Sequence, residues 1–211
     1  TWGNASVADR AAGLLAIKPS GVAYDALRAE DIVVLSIEDG RVVSGSLRPS
    51  SDAPTHLELY RGFPTVGAAV HAHSPHATAW AQLARPLPCY GATHADHFAG
   101  AVPVARALTD AEVAADYERA AGLSIVETFR RAGLDPLHIP AVFLPGHAPF
   151  AWGATEKAAV ENAVALEAVS RMALAAGAAI HPLPELPPAI LRKHFERKHG
   201  AGAYYGQRQP Q

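Results

Sequence analysis

Pro64 and Pro75 bracket the run Val66-Gly67-Ala68-Ala69-Val70-His71-Ala72-His73, and this stretch constrains the fold more than any other. Small and β-branched residues between two prolines predict a strand over residues 66–73. Side chains alternate between faces along a strand, so His71 and His73 point the same way and their imidazoles converge. Neutral imidazole is the commonest protein ligand for a divalent transition metal, and a strand holds such a pair stiffly. An H-x-H pair also occurs as exposed or hydrogen-bonded histidines of no special role, so the rest of the chain has to decide.

At 211 residues the chain has the length of one domain with a full-sized core, and 49% hydrophobic residues exclude a disordered polymer. A net charge of −2 gives no electrostatic basis for nucleic-acid binding. The densest basic run, residues 192–199, falls in a short helical segment and reads as a solvated face. Cys89 is the single cysteine, which excludes an intramolecular disulfide framework and a cysteine-rich zinc site and suits a reducing cytoplasm. No apolar run approaches the roughly 18 residues that span a bilayer, and no signal peptide is visible, so no membrane partner is expected. The sequence opens on Thr1 rather than methionine, which raises the expectation of a missing leader or first helix.

Residues 1–6, polar and small around Gly3, read as a loop whose backbone approaches a ligand. Residues 14–17 read as a short buried strand. It feeds Lys18-Pro19-Ser20-Gly21, which is either an ordinary turn or one that offers backbone N–H groups, a hydroxyl and an ammonium to an anion. Residues 31–37 and 42–45 flank Glu38-Asp39-Gly40 as a hairpin. A second hydroxyl-rich turn follows at residues 48–54, where Asp52 suits the N-cap of a helix over 53–62 with Pro54 in its first turn. Ser50 and Ser51 then lie at that helix's positive end, where a phosphate is favourably held. A helix over 75–83 places His76 and Trp80 one turn apart, as packing residues.

The segment 91–97 carries Thr93, His94, Asp96 and His97 without a hydrophobic period, and reads as a surface loop or a catalytic one. Residues 110–118 and 122–131 form two amphipathic helices, or a helix and its continuation, parted at Gly122. Glu118 is a solvated helix residue unless something else places it in a site. A buried strand over 140–144 ends at Pro145-Gly146-His147-Ala148-Pro149, making His147 a candidate third ligand. The long helix over 155–177 presents Val160, Val164, Leu166 and Met172 as a core stripe. After a last helix over 189–199, the glycine-rich tail carries Tyr204 and Tyr205. Two adjacent tyrosines cannot build a core there and must dock elsewhere, with another subunit as one host.

In order along the chain stand T-W-G-N-x-S, K-P-S-G-V-x-Y, P-S-S-D-x-P-T-H, V-H-A-H-S-x-H-A-T-x-W-A, T-H-A-D-x-F, H-x-P-F-A-W-G and K-H-G-x-x-A-Y-Y-G-Q. This series, from Thr1 to Gln207, resembles the L-ribulose-5-phosphate 4-epimerase family of the class II aldolase/epimerase superfamily. The resemblance implies a single α/β domain, a three-layer α/β/α fold around a mostly antiparallel sheet, preceded by an N-terminal helical segment. It also implies a homotetramer with active sites between neighbouring subunits, serving arabinose catabolism or another pentose or ascorbate route. Carried onto this chain, it places a divalent metal, usually Zn2+, on His71, His73 and His147, with Asp52 near or on it. The substrate phosphate would rest on Ser20, Gly21, Ser50 and Ser51, with Asn4 and Lys18 beside the sugar. Asp96 and Tyr205 match the acid/base pair, the tyrosine coming from an adjacent subunit, and Glu118 and His194 match supporting positions. This chain has Ala92 where a second threonine is usual, and Leu144-Pro145-Gly146 before His147 where histidine and serine are frequent.

The chemistry asks for such groups. In a pentulose phosphate the carbonyl is at C2, so the hydrogen on C4 is not α to it and lacks the acidity for simple deprotonation. Inversion at C4 then requires transient oxidation or carbon–carbon cleavage. No G-x-G-x-x-G opens a helix after a strand, so a bound nicotinamide is not expected and cleavage is left. A Lewis acid chelated by the C2 and C3 oxygens stabilises the enediolate formed when C3–C4 breaks. Glycolaldehyde phosphate, anchored at its phosphate, rotates and is re-added on its other face. The C4 oxygen changes position between the two steps, which calls for two acid/base groups.

A class II aldolase acting on a sugar 1-phosphate is the nearest rival; such aldolases usually carry Glu in place of Asp52 and lack the K-H-G-x-x-A-Y-Y-G-Q ending. A structural metal-holding domain would need neither the two hydroxyl-rich turns nor Asp96 nor the tyrosine tail. Three histidines, with or without a carboxylate, take Zn2+, Mn2+ or Co2+.

Overall fold

The computed structural model describes residues 2–180 and 182–204. Seven strands form one sheet in the order β4-β3-β2-β1-β5-β7-β6, and every neighbouring pair is antiparallel. The first four are β1 (Gly3–Asp9), β2 (Leu14–Ile17), β3 (Val33–Ser36) and β4 (Val42–Ser44). The last three are β5 (Ala68–Ala72), β6 (Ala141–Phe143) and β7 (Pro149–Gly153). Successive side chains on β6 and β7 enter different cores. Val142, Phe150 and Trp152 belong to one, and Ala141, Phe143 and Ala151 to the other.

That alternation makes the α/β/α sandwich. On one face, α1 (Ala53–Gly62) and α4 (Asp110–Ala132) bury Leu57, Leu59, Tyr60, Ile125 and Phe129 against the sheet. On the other, α2 (Pro75–Gln82) and α5 (Glu156–Ala179) contribute Trp80, Leu166 and Val169. The short α3 (Ala92–Ala95) packs against α6 (Pro188–His199). Among the described residues no helix is long and apolar enough to cross a membrane.

Several sequence expectations are corrected here. The opening segment is not a loop: β1 lies inside the sheet, paired with β2 on one side and β5 on the other. Its inward residues Asn4 and Ser6 are polar but hydrogen-bonded, which hid the strand from a hydrophobicity pattern. The segment 91–97 contains the helical turn α3 instead of being wholly loop. α4 is continuous through Gly122, and its one non-helical residue is Asp116 (φ −163°, ψ 84°). Gly122 is where α4 meets α1, since a Cβ there would stand 2.7 Å from Glu58 Cβ and 2.9 Å from the Thr55 carbonyl oxygen.

The stripe expected to make α5 a core helix is mostly outside. Val160, Val164 and Met172 are 54%, 65% and 54% exposed; only Leu166 is buried, with Ala159, Ala165, Val169, Ser170 and Ala173 facing inward. Alanines and Ser170 make up most of the inner face, with Leu166 and Val169 packed among them, while Val160, Val164 and Met172 point away. The basic run in α6 is not a purely solvated face either, because His194 and Arg197 turn inward to Asp96.

Candidate metal centre

β5 is central, so its C-terminal end is held from both sides, with Asn4 opposite His71 on β1 and Phe150 opposite it on β7. The His71 ring is buried and stacks on Phe150 at a centroid distance of 4.2 Å. Its Nδ1 lies 2.9 Å from the Pro149 carbonyl. A carbonyl only accepts, so Nδ1 carries the proton and Nε2 keeps its lone pair. His73 follows just past the strand, where its backbone N–H donates to the Trp2 carbonyl (3.1 Å).

His147 arrives from the turn between β6 and β7. Leu144 and Ala148 close that turn (3.1 Å), and Gly146 takes its left-handed residue at φ +69°, a conformation glycine adopts at little cost. His147 Nε2 stands 3.1 Å from His73 Nε2, while its Nδ1 faces the Tyr117 hydroxyl at 3.3 Å. The three rings lie 4.8–5.0 Å apart between centroids, and one ligand atom from each falls within 4.8 Å of the others. The Asp52 carboxylate approaches to 3.9 Å from His71 Nε2.

This donor set fits a divalent cation. Tetrahedral zinc with Zn–N bonds of about 2.0–2.1 Å needs ligand nitrogens about 3.3 Å apart, close to the 3.1 Å His73–His147 separation. Burial lowers the His71 pKa to about 4; Asp52 and the Pro149 hydrogen bond oppose the shift, and the two neighbouring imidazoles add to it. Burial, then His73, also lowers His147, with Asp52 and Glu118 opposing. Neutral imidazoles are what a metal requires. Both rings are oriented from behind, by a carbonyl and a phenol, as metal-ligating histidines usually are.

The two hydroxyl-rich turns come together. Pro19 and Pro49 form an antiparallel bridge; the Ser20 N–H donates to the Arg48 carbonyl (3.0 Å) and the Ser50 N–H to the Lys18 carbonyl (3.2 Å). Ser20, Gly21 and Ser51 are exposed, and Ser50 is buried. Those two N–H groups serve the pairing, so an anion would meet the hydroxyls and the remaining amides. Lys18 is buried, with Nζ donating to the Val22 carbonyl (2.6 Å) and the Pro19 carbonyl (3.1 Å). Asp52 stands at the N-cap position of α1 but makes no capping bond; it accepts from Asn4 Nδ2 at 2.6 Å.

Asp96 belongs to a separate cluster. Arg197 donates to it at 2.7–3.0 Å through Nε and Nη2, and His194 Nδ1 lies 3.1 Å away. Burial alone would raise its pKa, but the bonds from Arg197 and His194 outweigh this and hold it below the ordinary carboxylate value. Glu118 is half-buried on α4, directly after Tyr117, and its carbonyl accepts from the Thr55 hydroxyl (2.6 Å). Tyr205 lies outside the described residues. His56 and Tyr117 carry no functional assignment from the sequence, and Arg197 stands in the basic run expected to be a solvated face. His56 had a local signal, one helical turn after Asp52, whereas Tyr117 meets His147 across thirty positions.

Comparison with known proteins agrees with this geometry. Residues 1–174 match the family described as Class II Aldolase and Adducin N-terminal domain. The chain belongs to that family. An L-fuculose 1-phosphate aldolase structure is 29% identical, with a TM-score of 0.77, covering 93% of this chain and 85% of that one. The L-fuculose-1-phosphate aldolase of Thermus thermophilus is 28% identical, with a TM-score of 0.67 and 88% of each chain covered. YgbL from Escherichia coli, at 23% identity and a TM-score of 0.71 over 91% of this chain and 86% of its own, shares the fold. Class II aldolases generally depend on a divalent metal, and the three histidines are this family member's candidate site for one.

Proposed function

We propose that this chain is a metal-dependent L-ribulose-5-phosphate 4-epimerase. It would interconvert L-ribulose 5-phosphate and D-xylulose 5-phosphate by retro-aldol cleavage of C3–C4, rotation of glycolaldehyde phosphate and re-addition. The observation that carries the reading is the convergence of His71, His73 and His147 with Asp52 beside them. A divalent cation bound there, Zn2+ or alternatively Mn2+ or Co2+, supplies a fixed positive charge where negative charge develops on the substrate oxygens.

The chain's own groups do the rest. Ser20, Gly21, Ser50 and Ser51 hold the phosphate during rotation, and Asn4 and Lys18 border the sugar. Asp96 and Tyr205 exchange the proton of the C4 oxygen, one on each face, with Tyr205 brought by an adjacent subunit of a homotetramer. His194, bonded to Asp96, and Glu118, next to Tyr117, support them. Asp52 in place of glutamate and the K-H-G-x-x-A-Y-Y-G-Q ending favour epimerase over aldolase.

The decisive assay is incubation of metal-loaded protein with L-ribulose 5-phosphate and measurement of D-xylulose 5-phosphate. Tyr205→Phe and Asp96→Asn should each lower turnover by at least about 100-fold, in line with general acid–base contributions, while bound metal is unchanged. Full activity in either overturns that residue's role. A second reading, cleavage of a sugar 1-phosphate, is favoured by the two fuculose-phosphate aldolases at 28–29% identity. Accumulation of free aldehyde from a ketose phosphate, without epimer, would select it.

A further inference from the structure

A buried chain of hydrogen bonds runs from the core to the histidine cluster. At its centre, on α1, His56 is fully buried and has a partner at each ring nitrogen: Asn4 Oδ1 lies 2.6 Å from Nε2, and Ser6 Oγ 2.7 Å from Nδ1. Behind Ser6, the Tyr60 hydroxyl sits 2.9 Å from Oγ and donates to the Ser6 carbonyl at 3.0 Å. In front, Asn4 Nδ2 donates at 2.6 Å to the same Asp52 oxygen that stands 3.9 Å from His71 Nε2.

The charge on Asp52 sets the direction of these bonds. A carboxylate only accepts, so the NH2 of Asn4 faces it and the amide oxygen faces His56. That oxygen also only accepts, so His56 Nε2 carries the ring proton. Nδ1 is then an acceptor and takes the proton of Ser6. This arrangement satisfies each group between Asp52 and Ser6; a flipped Asn4 amide would set its oxygen against the carboxylate. Burial, and then His71, lowers the His56 pKa to about 3 against the pull of Asp52, so the ring stays neutral at ordinary pH.

We propose that His56 is a positioning residue which, acting through the Asn4 amide, holds the Asp52 carboxylate at the metal centre. The inference rests on the proposed placing of Asp52 at a bound metal. Without a donor at Nε2, Asn4 Oδ1 becomes a buried acceptor lacking its partner, and the amide no longer has one preferred orientation toward Asp52.

The test is zinc affinity of the full chain, measured by competition with a chromogenic chelator alongside thermal stability. His56→Leu and Asn4→Ala should each weaken zinc binding, by roughly 10–100-fold as for other supporting groups of metal ligands. The double variant should be no weaker than Asn4→Ala, because His56 acts only through Asn4. His56→Gln places an amide N–H near the lost Nε2–H and should retain most of the affinity. His56→Asn reaches only toward Ser6 and should not. This pair carries the comparison if His56→Leu does not fold. Multiplicative losses in the double variant, unchanged affinity in Asn4→Ala or His56→Leu, or equal affinities for the Gln and Asn variants would each overturn the proposal. Zinc bound by the unaltered chain without pentulose phosphate turnover would instead overturn the proposed activity and leave this inference standing.

Discussion

His94 and His56 are buried imidazoles outside the candidate metal ligands, and they add to the acid sensitivity of the fold. His94 donates from Nε2 to the Gly100 carbonyl (2.7 Å). Burial lowers its pKa to about 4, with the Gly100 bond opposing and His97 assisting; His56 falls to about 3. The ordinary value is 6.5, so between pH 6.5 and about 4 the unfolded chain takes up protons that the folded chain refuses. Their contribution to stability is therefore intact above pH 6.5 and is lost as the pH falls below it. The slope is on the order of 1.4 kcal/mol per pH unit for each such group. Urea midpoints of metal-free protein should fall from pH 6.5 to 4.5. His94→Gln, which keeps a donor for Gly100 but cannot titrate, should fall less steeply. Parallel slopes in the two proteins would show that His94 is not held neutral by the fold.

At the scale of elements, α1 and α4 meet through Gly122. Replacing it with alanine favours the helix by about 1 kcal/mol, but the added Cβ has backbone and Cβ atoms of α1 at 2.7–2.9 Å, contacts that cannot be relieved by a side-chain rotation. Overpacking of this kind costs about 1–3 kcal/mol, so Gly122→Ala should lower the melting temperature with helix content unchanged. A raised melting temperature would mean that the two helices part easily. The same glycine shows where sequence reading fails. In a one-dimensional pattern Gly122 is a helix breaker; only the partner helix reveals it as a contact. β1 was hidden because Asn4 and Ser6 take up inward positions that apolar residues usually fill. β7 went unrecognised as a strand because all five of its residues are buried, leaving no alternation to read. α1 was legible to the residue, since Asp52, Pro54 and an apolar period mark it locally. The histidine cluster was legible for a related reason. His71 and His73 are fixed by strand period, and His147 by a Gly–His–Ala–Pro turn, whereas the supports behind them, Tyr117 and the Pro149 carbonyl, exist only after folding.

At the scale of the molecule, the candidate metal ligands and the proposed acid/base groups fall in different side-chain clusters. His71, His73, His147 and Asp52 converge within one chain, while Asp96 is tied to Arg197 and His194 of α6, on the segment that leads to Tyr205. In the proposed homotetramer a working site combines the histidine cluster of one subunit with the tyrosine of its neighbour, a division that mixed assemblies can expose. His73→Ala and Tyr205→Phe should each be inactive alone, for different reasons. Co-expressed with different tags and isolated as mixed tetramers, they should regain activity. With equal random mixing, about a quarter of the sites would pair an intact histidine cluster with an intact tyrosine, so recovery should approach about a quarter of the unaltered rate. Light scattering on the same samples should give the mass of four chains. Mixed tetramers that stay inactive would mean that each subunit uses its own tyrosine.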